Sequence, residues 1–368
     1  VQKCPYCDFN SWTMGEEAPL DAYLQALLRD LALEADRAGS RELVSIFIGG
    51  GTPSVFSPGQ IGAVLQAVDD RFTLGRDIEV TMEANPGTVE SGDPAGYRTA
   101  GVNRLSLGAQ SFDDSMLQTL GRVHRAADIV RAFEAARSAG FDNINLDLMY
   151  ALPGQDAAQA IVDIEKATAL RPEHLSWYQL TLEPNTVFHA RPPQDLPDED
   201  RAFEIQQAGE ARLAELGFER YEVSAWARDG RRCRHNLNYW SFGDYLAVGA
   251  GAHGKLTTAE GTLRYRKSAN PLQYMLAMER SDETGPGERL SKDDLVFEFM
   301  LNALRLTDGF SESVFCERTG LSGNELAEAM RSASGRGLIA REANAVWRPT
   351  SLGQRFLNDL QAEFLAAA

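Results

Sequence analysis

The sequence is poor in cysteine, in long apolar runs and in positive charge, and each shortage excludes a class of protein. Four cysteines occur in 368 residues, two of them in one short motif, so they do not form the disulfide framework of a small secreted domain. No apolar stretch approaches the roughly 20 residues that span a bilayer. Lys and Arg number 36 against 53 Asp and Glu, and a net charge of -17 repels polyphosphate backbones. We therefore expect a reducing, cytoplasmic compartment, no integral membrane segment and no nucleic-acid partner.

The first motif is a pair of cysteines, Cys4 and Cys7, in the segment VQKCPYC. Two thiolates cannot hold a four-iron cluster by themselves. Three cysteines spaced Cys-x-x-x-Cys-x-x-Cys can do so, and with that spacing the first would fall immediately before Val1. A lone Cys-x-x-Cys also occurs in zinc knuckles and redox pairs. The motif alone leaves all three alternatives open.

Further along the chain, four apolar runs end in polar or turn residues. The run Ile46–Ile48 leads into Gly49-Gly50-Gly51-Thr52-Pro53, which is how a buried strand opens into a loop where backbone can approach a ligand. The other three runs lie in segments that end in turn or polar residues, namely EANP (83–86), RLSLGAQSF (104–112) and NLDLMYALPG (145–154).

Together with the cysteine pair, these segments resemble the radical S-adenosylmethionine (SAM) superfamily over nearly the whole chain. The resemblance is to the branch that holds oxygen-independent coproporphyrinogen III oxidases and the HemW family of heme chaperones. It implies a [4Fe-4S] cluster held by Cys4, Cys7 and a third cysteine expected immediately before Val1. It also implies SAM, which chelates the open iron, and an N-terminal truncation that removes the first strand and the first cluster cysteine.

The order of predicted elements indicates an α/β fold. Alternating strands and helices imply a parallel sheet with right-handed crossovers. We expect an open, partial (β/α) barrel, and the family resemblance implies six units. Strands are predicted near 43–48, 78–83, 103–107, 143–149, 174–180 and 220–224, with helices near 113–121, 126–139, 157–169 and 198–215 between most of them.

Four regions are predicted along the chain. The partial radical-SAM barrel covers 1–225, a segment with a heme-binding motif covers 226–280, and a Gly/Pro/charge-rich linker covers 281–290. Residues 291–368 are predicted to form a small winged-helix-like α+β domain, with a two-stranded wing near 338–348. Because basic residues do not dominate the helix near 323–334, we expect a lid or a partner-docking role rather than DNA binding.

The carboxyl ends of parallel strands gather at one edge of a sheet, and ligand sites of such folds lie there. Motif by motif, the resemblance implies that eight residues contact SAM. The alternatives for Gln110 and Asp147 are a loop cap or a satisfied core polar group, and for Arg122 a surface ion pair. The implied SAM contacts are Gly50, Gly51, Thr52, Glu83, Gln110, Arg122, Asp147 and, at backbone level, Thr181.

Two features separate the branches of the superfamily. The oxidases resemble Cys-x-Cys at Cys7-Asp8-Phe9, so Phe9 stands where they have a fourth cysteine. His235-Asn236-x-x-Tyr239 matches the motif associated with heme binding in the chaperones. Imidazole is a common axial ligand of heme iron, and Tyr239 and Trp240 can pack on a porphyrin. The alternative for His235 is a structural histidine packed against aromatic rings.

Other candidates are weaker. His253 is interpreted as a turn or core histidine rather than a second heme contact. Cys233 is either a supplementary heme contact or a small buried hydrophobe, and Cys316 is expected to be structural. The basic run Arg264–Lys267 is either a solvated face or part of an anion contact.

The hypothesis is a heme chaperone that binds a [4Fe-4S] cluster, SAM and heme, with His235 and Tyr239 at the heme, and that passes heme to respiratory hemoproteins. The main alternative is an oxidase that decarboxylates coproporphyrinogen III to protoporphyrinogen IX by radical SAM chemistry. A third is a radical-SAM protein with an unrelated substrate. The sequence assigns no catalytic residue, and it leaves a peripheral membrane contact and a homodimer open.

Overall fold

The computed structural model describes residues 3–12, 19–90, 92–228, 230–280, 287–342 and 345–365. The chain divides into two compact units. Unit 1 contains residues 1–28, 40–220 and 224–232, and unit 2 contains residues 29–39, 221–223 and 233–368.

Unit 1 is built around one curled sheet of seven strands in the order β1-β2-β3-β4-β5-β7-β6. Strands β1 to β5 are parallel neighbours, and β7 pairs antiparallel with β5. The strands are β1 Glu42–Ile48, β2 Thr73–Ala84, β3 Arg104–Gln110, β4 Ile144–Tyr150, β5 His174–Gln179, β6 Glu219–Glu222 and β7 Ala225–Ala227.

Helices follow most of the parallel strands, as a βα repeat requires. They are α2 Pro58–Asp69, α3 Pro86–Glu90, α4 Pro94–Ala100, α5 Asp114–Thr119, α6 Ala126–Ser138, α7 Ala157–Ala169, α8 Val187–Ala190 and α9 Glu199–Glu215. Helix α1, Leu20–Ala38, precedes β1, and its residues from Arg29 onward belong to unit 2. Helix α2 begins with a capping box in which Ser57 and Gln60 bond each other's backbone, and Pro58 is its first residue. The predicted partial-barrel fold class is therefore confirmed.

The two faces of the sheet differ in chemistry. Leu105 and Leu107 of β3 are fully buried in the same apolar core as Ile129 and Phe133 of α6, so this face packs on the helices. Side chains alternate between faces along a strand, which places Ser106 and the polar residues in register with it on the other, inner face. That inner face carries the candidate site.

Unit 2 contains two three-stranded antiparallel sheets and several short helices. The elements are α10 Arg234–Trp240, β8 His253–Thr258, β9 Gly261–Arg266, α11 Pro271–Glu279, β10 Glu288–Arg289, α12 Lys292–Ala303, β11 Phe310–Ser311, α13 Glu312–Thr319, α14 Ala327–Gly335, β12 Ile339–Arg341, β13 Val346–Pro349, α15 Ser351–Arg355 and α16 Leu357–Ala362. Strands β12 and β13 pair at the position predicted for the wing. Within the predicted linker, residues 281–286 lie outside the described residues, while β10 pairs with β9.

Within unit 2, acidic side chains pair with residues of the basic run Arg264–Lys267, and the pairs of Lys267 are buried. Lys267 is 3% exposed, and its Nζ lies 2.5 Å from Asp30 Oδ1 and 2.7 Å from Glu34 Oε1. Arg264 pairs with Glu288 at 3.0 Å and also with Glu298. Acidic partners within the chain therefore pair with Arg264 and Lys267, so these two cations do not form a free anion site, while Arg266 is exposed to solvent.

Candidate functional site

The glycine loop after β1 is closed by a carboxylate from the next strand. The backbone N–H of Gly50 donates to Glu83 Oε2 at 2.9 Å. A side chain at Gly49 would meet the ring of Phe47 at 2.4 Å and the carboxyl carbon of Glu83 at 2.8 Å. Gly50 has φ +106 and open space where a Cβ would lie. The loop thus needs glycine at both positions, for a close approach at one and a left-handed backbone at the other.

Arg122 connects the cysteine segment with two strand ends. One guanidinium nitrogen lies 3.7 Å from Cys4 Sγ. The other donates to Asn85 Oδ1 at 2.6 Å and to the carbonyl oxygen of Gly108 at 2.9 Å. The Nε of Arg122 is buried without a hydrogen-bond partner. Arg122 is therefore a part-buried residue that contacts Cys4, Asn85 and Gly108, and not the surface ion pair considered as its alternative.

The cysteine segment packs closely against the loop that precedes Arg122. Cys4 and Cys7 are free and half-buried, and the N–H of Cys7 donates to the carbonyl of Cys4 at 3.1 Å. A side chain at Gly121 would meet Pro5 at 2.7 Å. Among the described residues no group of three or more His, Cys, Asp or Glu side chains could hold a metal ion, so these residues fit a cluster only as two of its ligands.

Gln110 ends β3 in a left-handed conformation, with φ +69. Its side chain is buried, and its Oε1 accepts a hydrogen bond from the Tyr178 hydroxyl at 2.9 Å. The register of β3 and β4 shifts between Gly108 and Gln110, which turns this residue at the strand end. The bond from Tyr178 occupies one acceptor of Gln110 and aligns the amide within the site.

Asp147 lies at the fourth of the seven residues of β4, and not at the strand end as predicted. Asn145 Nδ2 donates to its Oδ1 at 2.8 Å, and Ser106 Oγ donates to its Oδ2 at 3.1 Å. These contacts match the satisfied polar group that was one alternative for Asp147. They leave further lone pairs on both carboxylate oxygens, so the contacts do not prevent a ligand role.

Burial sets the electrostatics of the acidic residues. It raises the pKa of Glu83 from 4.5 to about 7, against the lowering effect of the Gly50 hydrogen bond, and the charge of Asp147 raises it further. Burial likewise raises the pKa of Asp147, while the hydrogen bonds from Asn145, Ser176 and Ser106 lower it. Two carboxyl groups that interact in a desolvated site are typical of functional positions.

Two further residues were missed by sequence reasoning. Tyr178 is an aromatic residue within a predicted strand, which is typical of core. Burial raises its pKa well above 10, the charges of Asp147, Tyr6 and Glu83 raise it further, and Arg122 lowers it. Asn85 was only part of a quoted motif, but its side chain holds Arg122. The signal for Asn85 was its position directly after β2, whereas Tyr178 within β5 gave no such signal.

The structure therefore brings together most of the predicted SAM residues. Contacts connect Gly50 to Glu83, Glu83 to Asp147 by charge, and Tyr178 to Gln110, while Arg122 reaches Cys4. Gly51 and Thr52 follow Gly50 directly in the loop. Thr181 is exposed in the segment after β5.

The predicted heme residues lie on α10 in unit 2. The rings of His235 and Tyr239, one turn apart, meet edge to face at 4.7 Å, and Tyr239 contacts Tyr245 at 4.4 Å. Asn236 Nδ2 donates a hydrogen bond to the hydroxyl of Tyr221 at 3.3 Å. The half-buried imidazole on the same helix face as a tyrosine fits a heme contact, and it equally fits the packed histidine considered as the alternative.

The three weaker candidates, Cys233, His253 and Cys316, differ in their burial. Cys233 is 2% exposed and is the residue just before α10, as expected of a small buried hydrophobe. His253 is exposed at the start of β8 and is not a core residue. Cys316 is half-buried against the apolar core of unit 2.

A parallel half-barrel with a glycine loop, facing acids and an arginine beside a Cys-x-x-Cys is the arrangement of a radical SAM protein. The Radical SAM superfamily model matches residues 1–167, and the HemN C-terminal domain model matches residues 290–356. Membership of the superfamily implies a [4Fe-4S] cluster and SAM.

Full-length relatives identify the branch. The heme chaperone HemW of Haemophilus influenzae is 44% identical over 99% of this chain and 95% of its own length. HemW of Escherichia coli K12 is 44% identical over 100% of this chain and 96% of its own length. The chain belongs to the HemW family.

A solved structure supports the fold. The coproporphyrinogen III oxidase HemN of Escherichia coli, a radical SAM enzyme, superposes with a TM-score of 0.81 at 22% identity, covering 99% of this chain and 87% of the other. In the portion of the chain that the structure describes, no helix combines the length and the apolar character that crossing a bilayer requires.

Proposed function

We propose that this chain is a heme chaperone that binds a [4Fe-4S] cluster and SAM in unit 1, binds heme at His235 and Tyr239, and transfers heme to respiratory hemoproteins. The predicted boundaries of the barrel, the heme segment, the linker and the C-terminal domain are part of this proposal. The observation that carries it is the position of Arg122, which holds Asn85 and Gly108 at the strand ends while lying 3.7 Å from Cys4 Sγ.

Each side chain around Arg122 has a definite task in this proposal. Cys4 and Cys7 supply two thiolate ligands, and the Arg122 guanidinium lies beside Cys4 at 3.7 Å. The unpartnered Nε of Arg122 is a donor available to an anionic ligand group such as a carboxylate.

The remaining residues receive the ligand's polar groups. Glu83 accepts from ribose hydroxyls, and the loop Gly50-Gly51-Thr52 presents backbone to the methionine part. Gln110 and Asp147 complete the polar wall, and Thr181 contacts through its backbone. When bound, the cluster and SAM supply one-electron chemistry, and the buried walls of the site exclude water from it.

The heme proposal depends on the aromatic environment of α10. His235 provides an imidazole for heme iron, and Tyr239 keeps that ring in one orientation through the 4.7 Å edge contact. The name of the relatives, heme chaperone, supports this assignment over a packing role.

The first experiment tests cluster and SAM binding. The chain is reconstituted anaerobically with and without an added cysteine directly before Val1, and the spectrum of the reduced cluster is recorded with increasing SAM. We expect a SAM-responsive [4Fe-4S] spectrum only with the added cysteine. Arg122→Ala should lose the response to SAM, whereas Arg201→Ala, an exposed arginine on α9, should keep it. A full SAM response from Arg122→Ala would contradict the proposal.

The second experiment separates chaperone from oxidase. Hemin is titrated into wild type, His235→Ala, Tyr239→Phe and His253→Ala, and each protein is also assayed for coproporphyrinogen III conversion. Stoichiometric hemin binding that is lost only in His235→Ala, without porphyrin product, supports the chaperone. Robust product formation would assign the oxidase reaction instead, and unchanged hemin binding by His235→Ala would remove His235 from the heme site.

A further inference from the structure

Asn145 is the centre of a hydrogen-bond network beneath Asp147. Its amide nitrogen donates to Asp147 Oδ1 at 2.8 Å and to Ser106 Oγ at 2.7 Å. Ser106 in turn donates to the second oxygen of Asp147 at 3.1 Å. Both oxygens of this carboxylate are thus held, directly or through Ser106, by a single amide group.

The other side of the amide fixes its orientation. Asn145 Oδ1 lies 2.6 Å from Nδ1 of His174 and receives Ser176 Oγ at 3.2 Å. Rotating the amide by half a turn would put its oxygen against the Asp147 carboxylate, and two acceptors without a proton repel each other. The contacts therefore assign the amide nitrogen to Asp147 and require a proton on Nδ1 of His174.

His174 is suited to anchor this network because it is fully buried and cannot easily change its charge. Its pKa is lowered well below 6.5, mainly by burial and also by the positive charge of Arg104. Arg104 is 3% exposed, and its Nε is buried with no hydrogen-bond partner, so its charge remains directed at the interior. A neutral imidazole with a fixed tautomer holds Asn145 in one orientation across the neutral pH range.

We propose that Asn145 is a positioning residue of the SAM site, which orients the Asp147 carboxylate by connecting it to His174 and Ser106. This inference rests on the proposed function, in which Asp147 contacts SAM. It goes beyond that function because it assigns a role to three polar residues, Asn145, Ser106 and His174, that have no contact role of their own in the site.

The test is a double-mutant cycle on the anaerobically reconstituted protein, with SAM affinity measured by equilibrium dialysis. The variants are Asn145→Ala, Asp147→Asn and the two combined, with Gln159→Ala on α7 as the control. Because a hydrogen bond to a charged group is lost, we expect Asn145→Ala to weaken SAM binding about tenfold or more. In the Asp147→Asn background the same change should have almost no effect, since Asn145 acts only through the carboxylate.

The pH dependence provides an independent readout. The charged and titratable groups that face Asp147 are Glu83, Arg104, His174 and Tyr178. Glu83, Arg104 and Tyr178 are present in both proteins, so their titration cancels when wild type is compared with Asn145→Ala. His174 contacts Asn145 directly but stays neutral between pH 6 and pH 8.5, because its pKa lies well below 6.5. Without the Asn145 donor, Asp147 takes up a proton at higher pH. The affinity ratio of wild type to variant should therefore be larger at pH 6 than at pH 8.5.

The outcomes are distinguishable. Equal losses in both backgrounds, or a pH-independent ratio, would overturn the positioning role while leaving the SAM site intact. Wild-type affinity in Asp147→Asn would overturn the SAM assignment of Asp147 and this inference with it. If thermal unfolding shows that Asn145→Ala does not fold, Ser106→Ala takes its place in the cycle, with the same expected loss of effect in the Asp147→Asn background.

Discussion

Glu83 should make the cofactor-free protein less stable as the pH rises through neutrality. Its pKa in the folded chain is raised from 4.5 to about 7, mainly by burial. The folded state therefore holds this proton more tightly than the unfolded state does, and the stabilisation is present below pH 4.5 and is lost as the pH rises through about 7. At ~1.36 kcal/mol per pH unit, the full loss is about 3 kcal/mol. Between pH 5.5 and pH 8 it is about 2 kcal/mol, because the unfolded carboxyl is already mostly ionised at pH 5.5.

Glu83→Gln isolates this contribution. Glutamine keeps an acceptor for the Gly50 N–H but cannot ionise, so the variant should gain about 2 kcal/mol on wild type between pH 5.5 and pH 8. Urea unfolding of both proteins at the two pH values measures the difference, and Glu134→Gln, at an exposed position of α6, serves as the control. A Glu83→Gln gain that stays constant with pH, or that shrinks as pH rises, would refute the reasoning.

Three further predictions concern packing and the site. Lys267→Met should cost about 3–5 kcal/mol in urea unfolding because it removes the buried cation that Asp30 and Glu34 share, whereas Lys292→Met, whose lysine side chain is 55% exposed, should cost less than about 1 kcal/mol; equal costs would contradict this. Gly49→Ala should abolish SAM binding measured by dialysis, because its Cβ would lie 2.4 Å from Phe47, while Gly59→Ala, with 3.9 Å of room, should bind normally. Tyr178→Phe should lower SAM affinity about tenfold by leaving Gln110 Oε1 without its donor, and an unchanged affinity would remove Tyr178 from the site.

The parallel strands of unit 1 could be predicted from the sequence because each is an apolar run followed by turn residues. Strand β7 was not predicted, since its three residues, Ala225–Ala227, form a strand only by pairing antiparallel with β5. Such a short segment carries no periodic signal of its own. Its position next to β5 is set by tertiary contacts and not by the local sequence.

The candidate site also contains residues that could be predicted from the sequence and residues that could not. The glycine loop and Glu83 stand in compact motifs, so their positions could be predicted, whereas Arg122 was implied by the family resemblance. Tyr178 could not, because an aromatic residue in a strand is indistinguishable from core until its hydroxyl is seen to meet Gln110. The partners of Lys267 lie more than 230 residues earlier in the chain, and pairings across such separations leave no local pattern.

The most direct test of the account is a crystal structure of the anaerobically reconstituted chain, carrying the added cysteine, with SAM bound. The account predicts SAM against the Gly50 loop, Glu83, Arg122 and Asp147, next to the iron held by Cys4 and Cys7. SAM bound elsewhere, with Glu83 still on Gly50 and Arg122 still on Asn85 and Gly108, would contradict it.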